Sequence, residues 1–180
     1  ARAWLERQSD TPPDGELADI ASAWVVHALG AHDGGRYVDA IEALDRALDR
    51  KPDHAAALLL RARLVRDVSG RVEAAHDALD AVPEGDWRAV VAYERGRSSL
   101  QAGALSLAIE AFAEASEHDA RYVEPRMALG ALAWSEGDTE RARVHFEQVL
   151  AIDPRHAGAR SNLGVYAEVV AERPLEAAAL

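Results

Sequence analysis

Three arginines and a tyrosine carry the most distinctive chemistry in this sequence. Arg63 and Arg66 are three residues apart and would share one face of a helix, and Tyr93 precedes Arg97 by one helical turn. Arg97 follows Arg63 by 34 residues, a spacing that recurs throughout the chain. A guanidinium grips a carboxylate through two parallel charge-assisted hydrogen bonds, and an adjacent ring adds contact area at low entropic cost. Leu100, Met127 and Trp134 extend this set with apolar surface. The chemistry is recognition of a segment carrying acidic groups. The plainer alternative pairs these arginines with Asp67, Glu94 or Glu124 and leaves them to solubilise a face.

Bond-making chemistry finds little support. The histidines stand at 27, 32, 54, 76, 118, 145 and 156, and His27 and His32 are five apart, which a straight helix does not bring to one metal. No His-x-x-x-His pair exists, so these rings read as solvated or packed. Glu114 and Glu117 fall on an outward helix face with no cleft to raise a carboxyl pKa. Ser98, Ser99 and Ser161 lack a positioned base, and no glycine pattern matches a phosphate loop. Cysteine is absent, which removes disulfides and thiolate ligands. No catalytic, cofactor or metal residue is expected, and the chain reads as a non-enzyme.

The elements that position these residues follow from the 34-residue spacing. Gly130 steps back to Gly96, Ala62 and Ala28 and forward to Gly164. Ala142 steps back to Ala108, Ala74 and Ala40; Phe146 to Phe112, Ala78 and Leu44; Val149 to Ala115, Ala81 and Ala47. Gly35, Gly103 and Gly137 recur in the same way. Such a period marks a stacked-repeat architecture. Two helices of a hairpin approach to about 8 Å only where small side chains sit at their crossing. The glycine and alanine columns supply that crossing, and larger apolar residues fill the space beside it.

At these residues the chain resembles the tetratricopeptide repeat (TPR) family, over about residues 21 to 173. That family's pattern has an aromatic at repeat position 4, Leu-Gly at 7 and 8, Gly at 15, Ala at 20, an aromatic at 24, Ala at 27 and Pro at 32. The first repeat matches it with Trp24, Ala28, Gly35, Tyr37, Ala40, Leu44, Ala47 and Pro52, whereas the third has Ala120 where proline is expected. The resemblance implies an all-α, right-handed superhelical solenoid of antiparallel hairpins. Four complete repeats would span 21–54, 55–88, 89–122 and 123–156, with a capping helix or partial fifth repeat over 157–176.

The resemblance also implies a concave groove lined by the first (A) helix of each repeat, with positions 2, 5, 9 and 12 projecting into it. Position 5 is Val25, Leu59, Tyr93, Met127 and Ser161; position 9 is Leu29, Arg63, Arg97, Ala131 and Val165; position 12 is His32, Arg66, Leu100, Trp134 and Glu168. The expected peptide site is therefore Arg63, Arg66, Tyr93, Arg97, Leu100, Met127 and Trp134. The family's chaperone-tail receptors use a Lys/Asn/Asn/Lys/Arg carboxylate clamp at defined A-helix positions, two of which are held here by Val25 and Leu29, so that partner class is not expected. The implied function is a protein-interaction scaffold. A recruitment arm of a larger enzyme and self-assembly into homo-oligomers through exposed repeat ends are the alternative classes.

Local signals refine the boundaries. Residues 1–10 read as a short helix with Trp4 and Leu5 on its apolar side, stopped by Thr11-Pro12-Pro13-Asp14-Gly15, and 1–20 as the remnant of a preceding repeat. The first A helix is expected from about Leu17 to the glycines 34 and 35, and its partner from about Val38 to Arg50. In the second repeat the partner helix fits one residue late, through Gly70, Val72, Ala75, Leu79 and Val82, and Pro83 ends it early without requiring a domain boundary. Pro174 is expected to stop the last helix, and residues 177–180 read either as natural sequence or as a cloning remnant. A net charge of −11 argues against broad nucleic-acid or anionic-membrane binding. No stretch has the roughly 18 to 20 unbroken apolar residues of a membrane span. The compartment stays open, with cytoplasm as the default.

Overall fold

In a computed structural model, residues 14–177 are described, and their side chains from Ile20 to Val169. The expectations for the stretch before Asp14 and for 178–180 lie outside these residues. Among the described residues the chain is all helix, in antiparallel pairs. It divides into two compact units between Trp87 and Arg88, at the connection where the sequence reading required no boundary.

The first unit holds α1 (Asp14–Asp33), α2 (Tyr37–Arg50), α3 (Ala55–Ser69) and α4 (Val72–Asp80). α1 starts three residues before the expected Leu17. Its core joins Trp24, Ala28, Ala31, Ala40, Leu44, Ala47 and Leu64, with Ile41 and Leu48 packed against it. The outward residues Glu42, Asp45, Arg46 and Asp49 are exposed, as their helical spacing predicts. The Arg46 guanidinium lies 4.9 Å from the centre of the Trp24 ring, a cation–π contact worth about 0.5–1 kcal/mol at an exposed site.

The one-residue slip in the second repeat is visible in the backbone. At the ends of the other A helices the closing hydrogen bond reaches back five residues: Arg36 N–H to Ala31 O, Ala104 N–H to Ser99 O and Asp138 N–H to Ala133 O, each 2.9 Å. Arg71 N–H reaches back six, to Val65 O, at 3.4 Å. The turn residue with positive φ is correspondingly Gly70 (+63°) rather than residue 69, alongside Gly35 (+71°), Gly103 (+76°) and Gly137 (+81°). Glycine reaches this left-handed region without steric cost, which explains its recurrence there. Burial moves with the slip: Ala75, not Ala74, is sealed in the crossing, and Leu79 is buried beside it.

The second unit holds α5 (Arg88–Gln101), α6 (Leu105–His118), α7 (Val123–Ser135), α8 (Thr139–Ile152) and α9 (Ala157–Ala177). Each packs on the next in order. Its core has two patches, one around Ala108, Phe112, Leu129 and Leu132, the other around Ala133, Ala142, Phe146, Val149 and Ala159. A Cβ added at Gly96 would stand 2.5 Å from Phe112 Cε1, and one at Gly130 2.5 Å from Phe146 Cε1. Both glycines are therefore required by the ring of their own partner helix. In the first hairpin Ala28 faces the smaller Leu44, and both are buried.

Two expectations at helix ends need correction. α9 does not stop at Pro174 but runs on to Ala177. A proline removes one helical hydrogen bond, and the following Leu175-Glu176-Ala177 are strong helix formers that carry the turn onward. Two histidines read as solvated or packed are helix caps instead. His54 and His156 accept from the backbone N–H of Ala57 (3.3 Å) and Ala159 (3.1 Å) through Nδ1, at equivalent positions three repeats apart.

Candidate functional site

The residues expected to bind a peptide divide between the two units. In the first, Arg63 on α3 is exposed, as position 9 predicts. Arg66 is only 1% exposed, and its Nε donates to Asp67 at 2.8 Å. Its guanidinium is enclosed and not displayed to a ligand, and it does not solubilise the face either. Val25 and Leu59 are likewise buried, so position 5 in these helices faces the packing and not solvent. Leu29 keeps 44% exposure at position 9.

In the second unit Tyr93 does not stand open beside Arg97. Its ring centre lies 5.6 Å from that of Phe112 and 5.3 Å from that of Tyr122, an aromatic cluster that ties α5 to α6 and to the turn before α7. Arg97 keeps part of its side chain in solvent and lies 3.9 Å from Glu94, which is itself fully buried. Glu94 was one of the carboxylates the plainer alternative named. Leu100 is 39% exposed. Met127 is half-buried against the α7–α8–α9 core, with its Cε close to Gly158.

Trp134 stands where a ligand could reach it. It lines a pocket of about 170 Å³ with Ala131, Phe146, Asn162 and Val165. α7 contributes position 9 (Ala131) and position 12 (Trp134), α9 contributes Asn162 and position 9 (Val165, 45% exposed), and Phe146 reaches up from α8. No ionisable side chain lines this pocket. Asn162 and Phe146 were missed as pocket residues. Phe146 read as pure core, and nothing in its spacing shows that its ring extends over Gly130 into the space between the A helices.

The α9 wall is tied down at its back. Tyr166 donates a hydrogen bond to Glu140 on α8, and Arg143 bonds Glu140 (3.0 Å) and Glu147 (2.6 Å) with its guanidinium 5.9 Å from the Tyr166 ring centre. The hydrogen bond to Glu140 holds the Tyr166 hydroxyl above its ordinary pKa, and the bonds to Glu147 and Glu140 do the same for the Arg143 guanidinium. At the start of α7, Arg126 donates to the carbonyls of Ala120 (2.9 Å), Tyr122 (3.4 Å) and Ser116 (3.5 Å).

The catalytic candidates stay dispersed. Glu114 is engaged by His118 at 3.3 Å, Ser98 and Ser99 are buried, and Ser161 is exposed on α9. Among the described residues, no group of three or more histidines and carboxylates converges as a metal would require. No described helix is long and apolar enough to cross a membrane.

Serial antiparallel hairpins with small residues at each crossing and left-handed glycines at the turns define an all-α helical repeat of the solenoid class. Tetratricopeptide repeat models match residues 31–86 and 127–180, and the chain belongs to that family. Solved structures share the fold. TTC0263, a TPR protein of Thermus thermophilus, is 19% identical with a TM-score of 0.68, covering 83% of this chain and 82% of its own. MamA of Desulfovibrio magneticus RS-1 is 19% identical with a TM-score of 0.59, covering 87% and 94%. YrrB, described as a TPR protein with an unusual peptide-binding site, is 22% identical with a TM-score of 0.58, covering 96% and 84%. No curated protein matches the chain. Proteins of this family are in general non-catalytic protein–protein interaction scaffolds.

Proposed function

We propose that this protein binds a peptide segment of a partner along the A-helix face of its second unit. An apolar side chain of the peptide enters the pocket between α7 and α9, and an acidic group is drawn to Arg97, which shares position 9 with Ala131 and Val165. The observation that carries this reading is the pocket itself: Trp134 and Val165 offer apolar surface and Asn162 a hydrogen-bonding amide, in space of about 170 Å³. Binding sites of this kind combine an apolar body with a few placed polar groups. Exposed Arg63 is the corresponding cation of the first unit. The peptide-binding site described for YrrB makes a peptide the natural class of ligand for this fold.

The test compares wild type with an Arg97→Ala/Trp134→Ala double variant as baits for affinity capture from source-cell lysate, read by mass spectrometry. Arg66 is left intact because it is enclosed. Circular dichroism must first show equal helicity of the two baits. A partner held by wild type and lost by the variant supports the reading. An identical set of partners on both baits would sink it.

A further inference from the structure

We infer that the pocket between α7 and α9 is a subsite for a single-ring aromatic side chain, and that Phe146 sets its depth and hence its selectivity. This rests on the peptide-binding reading above and adds the identity of the side chain received. The pocket holds about 170 Å³, on the scale of the roughly 150 Å³ that accepts benzene in an enclosed apolar cavity, and its Phe146 floor limits how deep a larger ring can enter. The Trp134 ring gives a guest ring a surface against which to pack, and the buried Phe146 ring closes the space beneath. The lining is uncharged, so the guest is neutral.

The floor of the pocket originates in the hairpin and not in the groove. Phe146 belongs to α8, yet its ring lines the pocket because Gly130 has no Cβ, which would otherwise stand 2.5 Å from the ring. The first hairpin solves the same crossing with Ala28 and Leu44, a larger residue on the A helix and a smaller one on the B helix. Replacing the Gly130/Phe146 pair by that Ala/Leu pair keeps the crossing filled but withdraws the ring from beneath the pocket. Phe146 thus determines specificity while being almost inaccessible to solvent.

The experiment follows the Trp134 indole N–H by NMR while acetyl-Asp-Phe-amide, acetyl-Asp-Trp-amide and acetyl-Asp-Leu-amide are titrated into the whole chain. Wild type should bind the Phe probe roughly tenfold tighter than the Trp probe, the order of discrimination a shaped apolar pocket achieves. The Gly130→Ala/Phe146→Leu double variant should lose or reverse that preference while retaining wild-type helicity. Phe146→Leu alone, which withdraws the ring and leaves Gly130 in place, serves the same purpose if the double variant does not fold. An unchanged ranking in the folded variant overturns the role of Phe146. Equal binding of the three probes to wild type, or no response of Trp134 to any, overturns the aromatic subsite. Probe selectivity that persists although the capture experiment finds no groove-dependent partner would separate failure of the peptide reading from failure of this one.

Discussion

At the scale of single residues, His145 shows how packing sets the behaviour of a titrating group. Its Nδ1 is closed off from solvent with no hydrogen-bond partner, on α8. Burial depresses its pKa below the ordinary 6.5, and the charges of Arg141 and Arg126 lower it further against an opposing hydrogen bond with Gln148. The folded state therefore gives up this proton more readily than the unfolded chain does. His145 contributes its full stability above about pH 6.5, and the contribution is lost as the pH falls from there towards the depressed folded value. His145→Gln should have a melting temperature that declines less between pH 7.5 and 5.5 than that of wild type. Parallel declines in calorimetry would show that the histidine does not titrate in this way.

At the scale of the helix pair, small-for-large exchange across each crossing decides which glycines are required. Gly130 and Gly164 occupy the same repeat position, yet a Cβ at Gly130 meets Phe146 while one at Gly164 meets nothing within 4 Å. Alanine is the better helix former by about 1 kcal/mol, so the intrinsic effect of Gly→Ala is stabilising at both sites. At Gly130 overpacking opposes it at about 1–3 kcal/mol and prevails. Gly164→Ala should therefore raise stability by roughly 0.5–1 kcal/mol, and Gly130→Ala should lower it by a similar amount or more. Urea unfolding of both variants checks the difference in sign. Equal shifts would mean that Phe146 swings aside without cost.

At the scale of the whole molecule, two compact units meet the chain's longest connection among the described residues, 81–87, where Pro83 and Glu84-Gly85-Asp86-Trp87 follow the early end of α4. The other connections are tight turns whose backbone N–H groups are tied to the preceding helix. A protease must draw an extended stretch into its cleft, which only the longer connection offers without unwinding a helix. Limited digestion with a glutamate-specific protease should cut first after Glu84 and give two fragments. A first cut after Glu136, in the turn closed by Asp138 N–H to Ala133 O, would contradict this.

The repeat, the hairpins and even the slipped register of α4 were legible in the sequence, because each follows from local rules. A period of 34 places equivalent residues, glycine marks the left-handed turn, and an apolar stripe marks the packed face. The site was only partly legible, since repeat position says which way a Cα–Cβ bond points but not where a long side chain ends. Arg66 and Tyr93 hold positions 12 and 5 as expected, yet one is enclosed beside Asp67 and the other stacked on Phe112 and Tyr122. Phe146 holds a core position and nevertheless forms the pocket floor. Those outcomes depend on which neighbours satisfy a guanidinium and how far a ring extends past a glycine. Both are properties of contacts between helices, which no spacing along one helix encodes.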